Sequence, residues 1–158
     1  MKKSTILSGF IGCIIGSVAV GKLIQNTVSR KEEKIKKFKT YYNILNQWLA
    51  VRQQGGNLSS YFDKNGYNRI AVYGLGELGK SLIAELRETR IEVVYGVDRN
   101  IDNVFSDVDV YQLEDIPDDV DVDVFVVTAV FAIEEIEKEL SDRWNRKVIS
   151  LEEVVFGI

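Results

Sequence analysis

Arg69-Ile70-Ala71-Val72-Tyr73-Gly74-Leu75-Gly76-Glu77-Leu78-Gly79 is a β-branched apolar run followed without a break by three glycines spaced G-x-G-x-x-G. The run predicts a buried strand and the residues after Gly79 a helix, so the glycines fall on a strand-to-helix turn. In such a turn the first glycine makes the bend and the second lets backbone approach a pyrophosphate. The third lets the helix pack on the strand. Free N–H groups at the helix start then favour an anion. Ile91 to Val97 predicts a second strand, ended by Asp98, 19 residues beyond Gly79. A carboxylate there can accept both hydroxyls of a ribose and repel a 2′-phosphate, whereas Arg99 beside it keeps a phosphorylated ribose open.

Working outward, short β-branched runs predict strands at Val108 to Tyr111, Val122 to Thr128 and Lys147 to Leu151, with a helix from about Ile133 to Trp144. The expected fold class is α/β: a small Rossmann-like parallel sheet of about five strands with helices on both faces. In such a sheet ligands collect at the carboxyl ends of the strands. Thr128 falls there, able to donate to a ribose or phosphate or to be satisfied by its own loop, and Ser150 is a weaker candidate. The candidate cofactor-binding residues are Gly74, Leu75, Gly76, Glu77, Leu78, Gly79, Asp98, Arg99 and Thr128, for NAD(P) or a nucleotide sugar. The stretch Gly74 to Ser81 also satisfies GxxxxGK[ST], a P-loop in which Lys80 would reach terminal phosphates and Ser81 magnesium. That ATP or GTP reading stays open beside the first.

Composition narrows the function classes. Residues 1–54 carry 10 Lys and Arg against 2 acids, and residues 55–158 carry 10 against 22. An acidic body is repelled by phosphate backbones, so nucleic acid is not an expected partner. The basic head suits anionic lipid. There is no histidine and one cysteine, Cys13, which removes the commonest general base and any disulfide framework. The acids between Asp118 and Asp123 read as a solvated loop, and no metal ligands or catalytic residues are assigned. No tyrosine has a lysine four residues later, as a short-chain dehydrogenase would need. The pattern favours a binding module over an independent enzyme, although Lys80, Asp98 and backbone amides leave chemistry on a bound nucleotide open.

Ser4 to Gly21 holds no charge, and the apolar stretch Ile6 to Ile24 approaches the roughly 20 residues that cross a bilayer. The heavier basic flank follows it, so the positive-inside rule expects a single-pass anchor with the body in the cytoplasm. A cleaved leader is the alternative, with a mediocre site at Ser17-Val18-Ala19. Gly9, Cys13, Ser17 and Gly21 recur every fourth residue, spacing that suits a close helix pair in lipid. Beyond the span, Ile35, Phe38, Tyr42, Leu45 and Leu49 alternate by three and four, with Tyr41 and Trp48 widening an amphipathic stripe able to pack on the body or on a second copy in a homodimer. The expected organisation is a transmembrane helix at 1–28, a basic amphipathic linker with a short helical piece at 29–66, and a nucleotide-binding domain at 67–158.

From Trp48 onward, Ile70 to Gly79, Val94-Tyr95-Gly96-Val97-Asp98-Arg99-Asn100, Val126-Val127-Thr128 and Ile149-Ser150-Leu151-Glu152-Glu153 resemble a family of small bacterial NAD(P)/nucleotide-sugar-binding Rossmann domains. These occur free or joined to glycosyltransferases and methyltransferases in surface-polysaccharide gene clusters. The resemblance spans about two thirds of the chain. It implies a nucleotide or nucleotide-sugar ligand at Gly74, Gly76, Gly79 and Asp98 with Thr128 nearby, and a glycosyltransferase as partner. A nucleotide-responsive sensor and a docking protein are the other expected roles.

Overall fold

Strong β-branched runs need partners on both edges and cover on both faces, and the chain meets that need with a parallel sheet. The computed structural model describes the backbone of residues 3–103, 106–117 and 121–158, and the side chains of residues 28–102, 106–117 and 121–158. In order, the elements are α1 (Lys3–Gln53), α2 (Ser59–Asn65), β1 (Arg69–Tyr73), α3 (Glu77–Leu86), β2 (Glu92–Val97), β3 (Val110–Tyr111), β4 (Val124–Val127), α4 (Ile133–Arg143), β5 (Lys147–Ser150) and α5 (Leu151–Phe156). The strands lie in the order β3-β2-β1-β4-β5, all neighbours parallel. This is the expected five-stranded parallel sheet, in a Rossmann-like order in which the chain reverses direction across the sheet between β1 and β4.

Alternation sorts the strand residues onto two faces. Ala71, Tyr73, Tyr95, Val97, Phe125 and Val127 form one buried cluster with Ile136 and Leu140 of α4. Ile70, Val72, Val124 and Val126 are completely buried on the other side, where α3 meets β1 and β2. Tyr95 packs edge-on to Tyr111 and to Phe125, with ring centroids 5.7 and 6.3 Å apart. Burial pushes its hydroxyl up to about 12.

The chain divides into two units, Met1–Tyr42 and Asn43–Ile158. The expected membrane span at 1–28 falls, but for Val28, on residues whose side chains lie outside the described ones. Among the described residues no helix is long and apolar enough to cross a membrane. In the first unit the exposed Glu33 and Lys37 pair at 2.9 Å, one turn apart. In the second, the last turns of α1 bury Ile44, Trp48 and Val51, of which Trp48 belongs to the predicted stripe, while its Leu45 and Leu49 remain exposed. Both sets have helical spacing. Glu85 of α3 selects between them, because its carboxylate accepts the Trp48 indole N–H at Oε2 and the Leu58 amide at Oε1, 2.7 Å away. Its side chain is 9% exposed, so these bonds are sheltered from water.

Two further differences have local causes. Leu151, predicted as the end of the last strand, instead opens α5, because Ser150 accepts the Glu153 amide at 3.0 Å and caps a helix start. The Asp123 carboxylate accepts both the Asn68 and Arg69 amides at 2.7 and 2.9 Å, fixing where β1 begins.

Glu85→Ala strands a buried indole N–H and a backbone N–H and is expected to cost about 2–3 kcal/mol in urea unfolding, with Glu85→Gln losing roughly half as much because one acceptor remains. Equal stability of the alanine variant and the parent would contradict this role. Asp123 is held below its ordinary carboxylate value of 3.8 by the Arg69 amide first and the Asn68 amide next. Because the folded value is depressed, its stabilisation is complete above the ordinary value and is lost as pH falls through the folded one. Asp123→Asn should therefore flatten the decline of stability below about pH 4. An unchanged acid slope would show that the clamp does not operate.

Candidate functional site

The site grows from the sharp turn that joins β1 to α3. Gly74 has φ of +92°, a left-handed conformation that side chains rarely adopt, and a Cβ there would meet the Thr128 hydroxyl at 2.8 Å. Gly79 sits so near the strand end that a Cβ would lie 2.1 Å from the Gly74 carbonyl oxygen. These are the bend and the helix-to-strand approach expected of the first and third glycines. Gly76 differs. Its φ of −70° suits any residue, and nothing lies within 4 Å of where its Cβ would be. The space over the second glycine is open.

Gly76 is the N-cap of α3, and no side-chain cap bonds to the helix start. Its first intrahelical bond runs from the Lys80 amide to the Gly76 carbonyl at 3.0 Å. The amides of Glu77, Leu78 and Gly79 are thus the terminal donors of a ten-residue helix, the arrangement that receives an anion. The Glu77 side chain is exposed in the first turn, so its contribution to the site is its amide. Leu75 turns the other way: it is buried, and it fills the space left by Gly96, where a Cβ would meet Leu75 Cδ1 at 2.5 Å. Gly96 is a site-forming residue that the pattern did not reveal, because only the fold brings β2 under Leu75.

Asp98 and Thr128 brace this turn. Asp98 Oδ2 accepts the Leu75 amide at 2.7 Å and Oδ1 accepts the Asn100 amide at 2.9 Å. Each oxygen keeps another lone pair for a ribose hydroxyl. Thr128 is buried, and its hydroxyl donates to the Gly74 carbonyl at 2.6 Å, with the Tyr73 carbonyl at 3.3 Å. Its single hydrogen is held by the loop, the second of the two alternatives read from the sequence. Ser81, the magnesium ligand of the P-loop reading, donates its hydroxyl to the Glu77 carbonyl at 2.8 Å, one helical turn back. Gly79 already has its reason in the strand contact, which leaves the P-loop pattern without a structural need.

Beside the turn the sheet opens on a cleft of about 450 Å³ lined by Tyr73, Asp98, Arg99, Gln112, Leu113 and Glu114, with Glu135 and Glu139 of α4 on its far wall. Arg99 is bonded to Tyr73 and Glu135, which hold its guanidinium above its ordinary value. Its Nη2 lies 3.2 Å from Glu135 and 3.8 Å from Glu139. Those glutamates escaped the sequence reading because they stand on the polar face of a helix, where acids usually signal only solvation. Among the described residues no group of three or more His, Cys, Asp or Glu has the arrangement of a metal site.

Residues 65–147 match the CoA binding domain family, a stretch that begins just before β1 and takes in the glycine turn, Asp98, Thr128 and α4. Among curated proteins, no sequence matches the chain. The match covers more than half of the chain and coincides with the parallel sheet and its open helix start. The chain therefore belongs to the CoA binding domain family.

Proposed function

We propose that this protein is a nucleotide-binding module, without an independent reaction, that seats the diphosphate of CoA, NAD(P) or a nucleotide sugar on the start of α3. The observation that carries the reading is the uncapped helix start with free space over Gly76. The terminal amides bring partial positive charge to a stretch of backbone that has no side chain of its own to cover it. Asp98 ties the turn to the end of β2 and keeps lone pairs toward the ribose that follows the diphosphate. The apolar stretch Ile6 to Ile24 and its basic flank support a single-pass tether with the body on the cytoplasmic side. The resemblance to domains of surface-polysaccharide clusters supports service beside a glycosyltransferase.

A second reading, a ligand-responsive sensor, is favoured by one observation. The helix that offers its amides to the ligand carries Glu85 near its other end, bonded to Trp48 of α1. A ligand that prefers one setting of α3 would bias that bond.

Calorimetric titration of the full chain in detergent with CoA, NAD⁺ and a UDP-sugar tests the leading reading. At least one should bind. Gly76→Ser, a residue at least as good as glycine at an N-cap and one that backbone and surroundings accept, should leave the unfolding temperature no lower and weaken binding by tenfold or more by capping the free amides and filling the space above them. Gly76→Val should weaken binding as much at a modest cost in unfolding temperature. Gly79→Ala, by contrast, should lower the unfolding temperature through its clash with the Gly74 carbonyl. Absence of binding by all three ligands, or undiminished binding by either Gly76 variant, would overturn the reading.

A further inference from the structure

We infer that the cleft beside the glycine turn selects an adenosine whose ribose hydroxyls are free, and rejects one bearing a phosphate on that ribose. The inference rests on the reading of the α3 start as the diphosphate site. It makes dephospho-CoA a better ligand than CoA, and NAD⁺ a better ligand than NADP⁺.

The turn fixes where the ribose must lie. Asp98 holds the Leu75 amide, the residue between the first two glycines, so a sugar one bond beyond a diphosphate on Gly76 comes within reach of that carboxylate. From there the cleft continues between the strand ends and α4, and among the described residues its charged lining is Asp98, Glu114, Glu135 and Glu139 against Arg99. A phosphomonoester brings a charge of roughly −1.5 to −2 at neutral pH. Set among four carboxylates, it meets repulsion from three more negative charges than positive ones.

Arg99 does not relieve this. It is the residue that would ordinarily accommodate a ribose phosphate at the end of the second strand. Here its Nη2 faces Glu135 at 3.2 Å and Glu139 at 3.8 Å, and Tyr73 also bonds it. A phosphate would have to share that guanidinium with both glutamates, whose charges stand beside the incoming anion. A bare diol needs none of this, because hydroxyls donate to carboxylates. Gln112, with both donor and acceptor, and the apolar Leu113 line the same cleft and suit the base. The family takes its description from CoA, whose ribose carries a 3′-phosphate; in this member the acids of α4 and the β3 edge disfavour that group.

Matched pairs test the inference on the full chain in detergent: CoA against dephospho-CoA, and NADP⁺ against NAD⁺, titrated at low and at moderate salt. The unphosphorylated member of each pair that binds should be tighter by about tenfold, with the gap shrinking as salt rises. Glu135→Gln combined with Glu139→Gln removes two charges and frees Arg99, so the preference should collapse or reverse while the fold persists, since both side chains are exposed. Equal or tighter binding of the phosphorylated members by the parent protein overturns this inference and leaves the diphosphate site standing. An unaltered preference in the double variant also overturns it. Failure of all four compounds to bind overturns this inference, and failure of the UDP-sugar as well overturns the diphosphate reading with it.

Discussion

The closeness of α3 to the end of β1 is the constraint on which the site depends. Gly79 lies against the Gly74 carbonyl with no room for a methyl group, and that carbonyl in turn receives the Thr128 hydroxyl. The Gly74 amide bonds to the Val97 carbonyl at 2.8 Å, and Leu75 is held by Asp98. Three strands thereby fix a turn of three residues, Gly74 to Gly76. With the turn so determined, the amides at the helix start can stay uncapped without the loop collapsing over them. A phosphate site of this kind needs rigidity more than it needs side chains.

The same bracing redefines two residues that composition would assign to the ligand alone. Asp98 and Thr128 hold the cradle first, and only the remaining lone pairs of Asp98 are offered outward. Loss of either would act on binding through the geometry of the turn as well as through a direct contact. At the opposite end of α3, Glu85 joins that helix to Trp48 and Leu58, so the element bearing the phosphate-facing amides is anchored at both ends. The acids around Arg99 add a level above this frame, the one on which the proposed choice among ligands sharing a diphosphate rests.

The sheet and its glycine turn were legible from residue pattern because both signals are local. Strand, turn and helix follow within the run from Arg69 to Leu86, and the buried strands are short β-branched stretches with polar bounds. What escaped the pattern depended on tertiary partners. In α1 the predicted Trp48 is inner, but its bond to Glu85 brings Ile44 and Val51 inward with it and leaves Leu45 and Leu49 outside. Gly96 reads as an ordinary strand glycine until Leu75 is seen lying over it. Glu135 and Glu139 look solvated until Arg99 is placed beside them. The α5 start was the exception: Ser150 and Glu153 have the spacing of a capping box, a local signal that the β-branched run before it obscured.

The most direct measurement is the amide spectrum of the full chain labelled with ¹⁵N-glycine and titrated with NAD⁺ or dephospho-CoA. If the helix start receives the diphosphate, the Gly76 and Gly79 resonances move in proportion to occupancy, while Gly55 and Gly66, away from the turn, stay in place. Saturable binding that shifts other glycines and leaves Gly76 and Gly79 untouched would contradict the account.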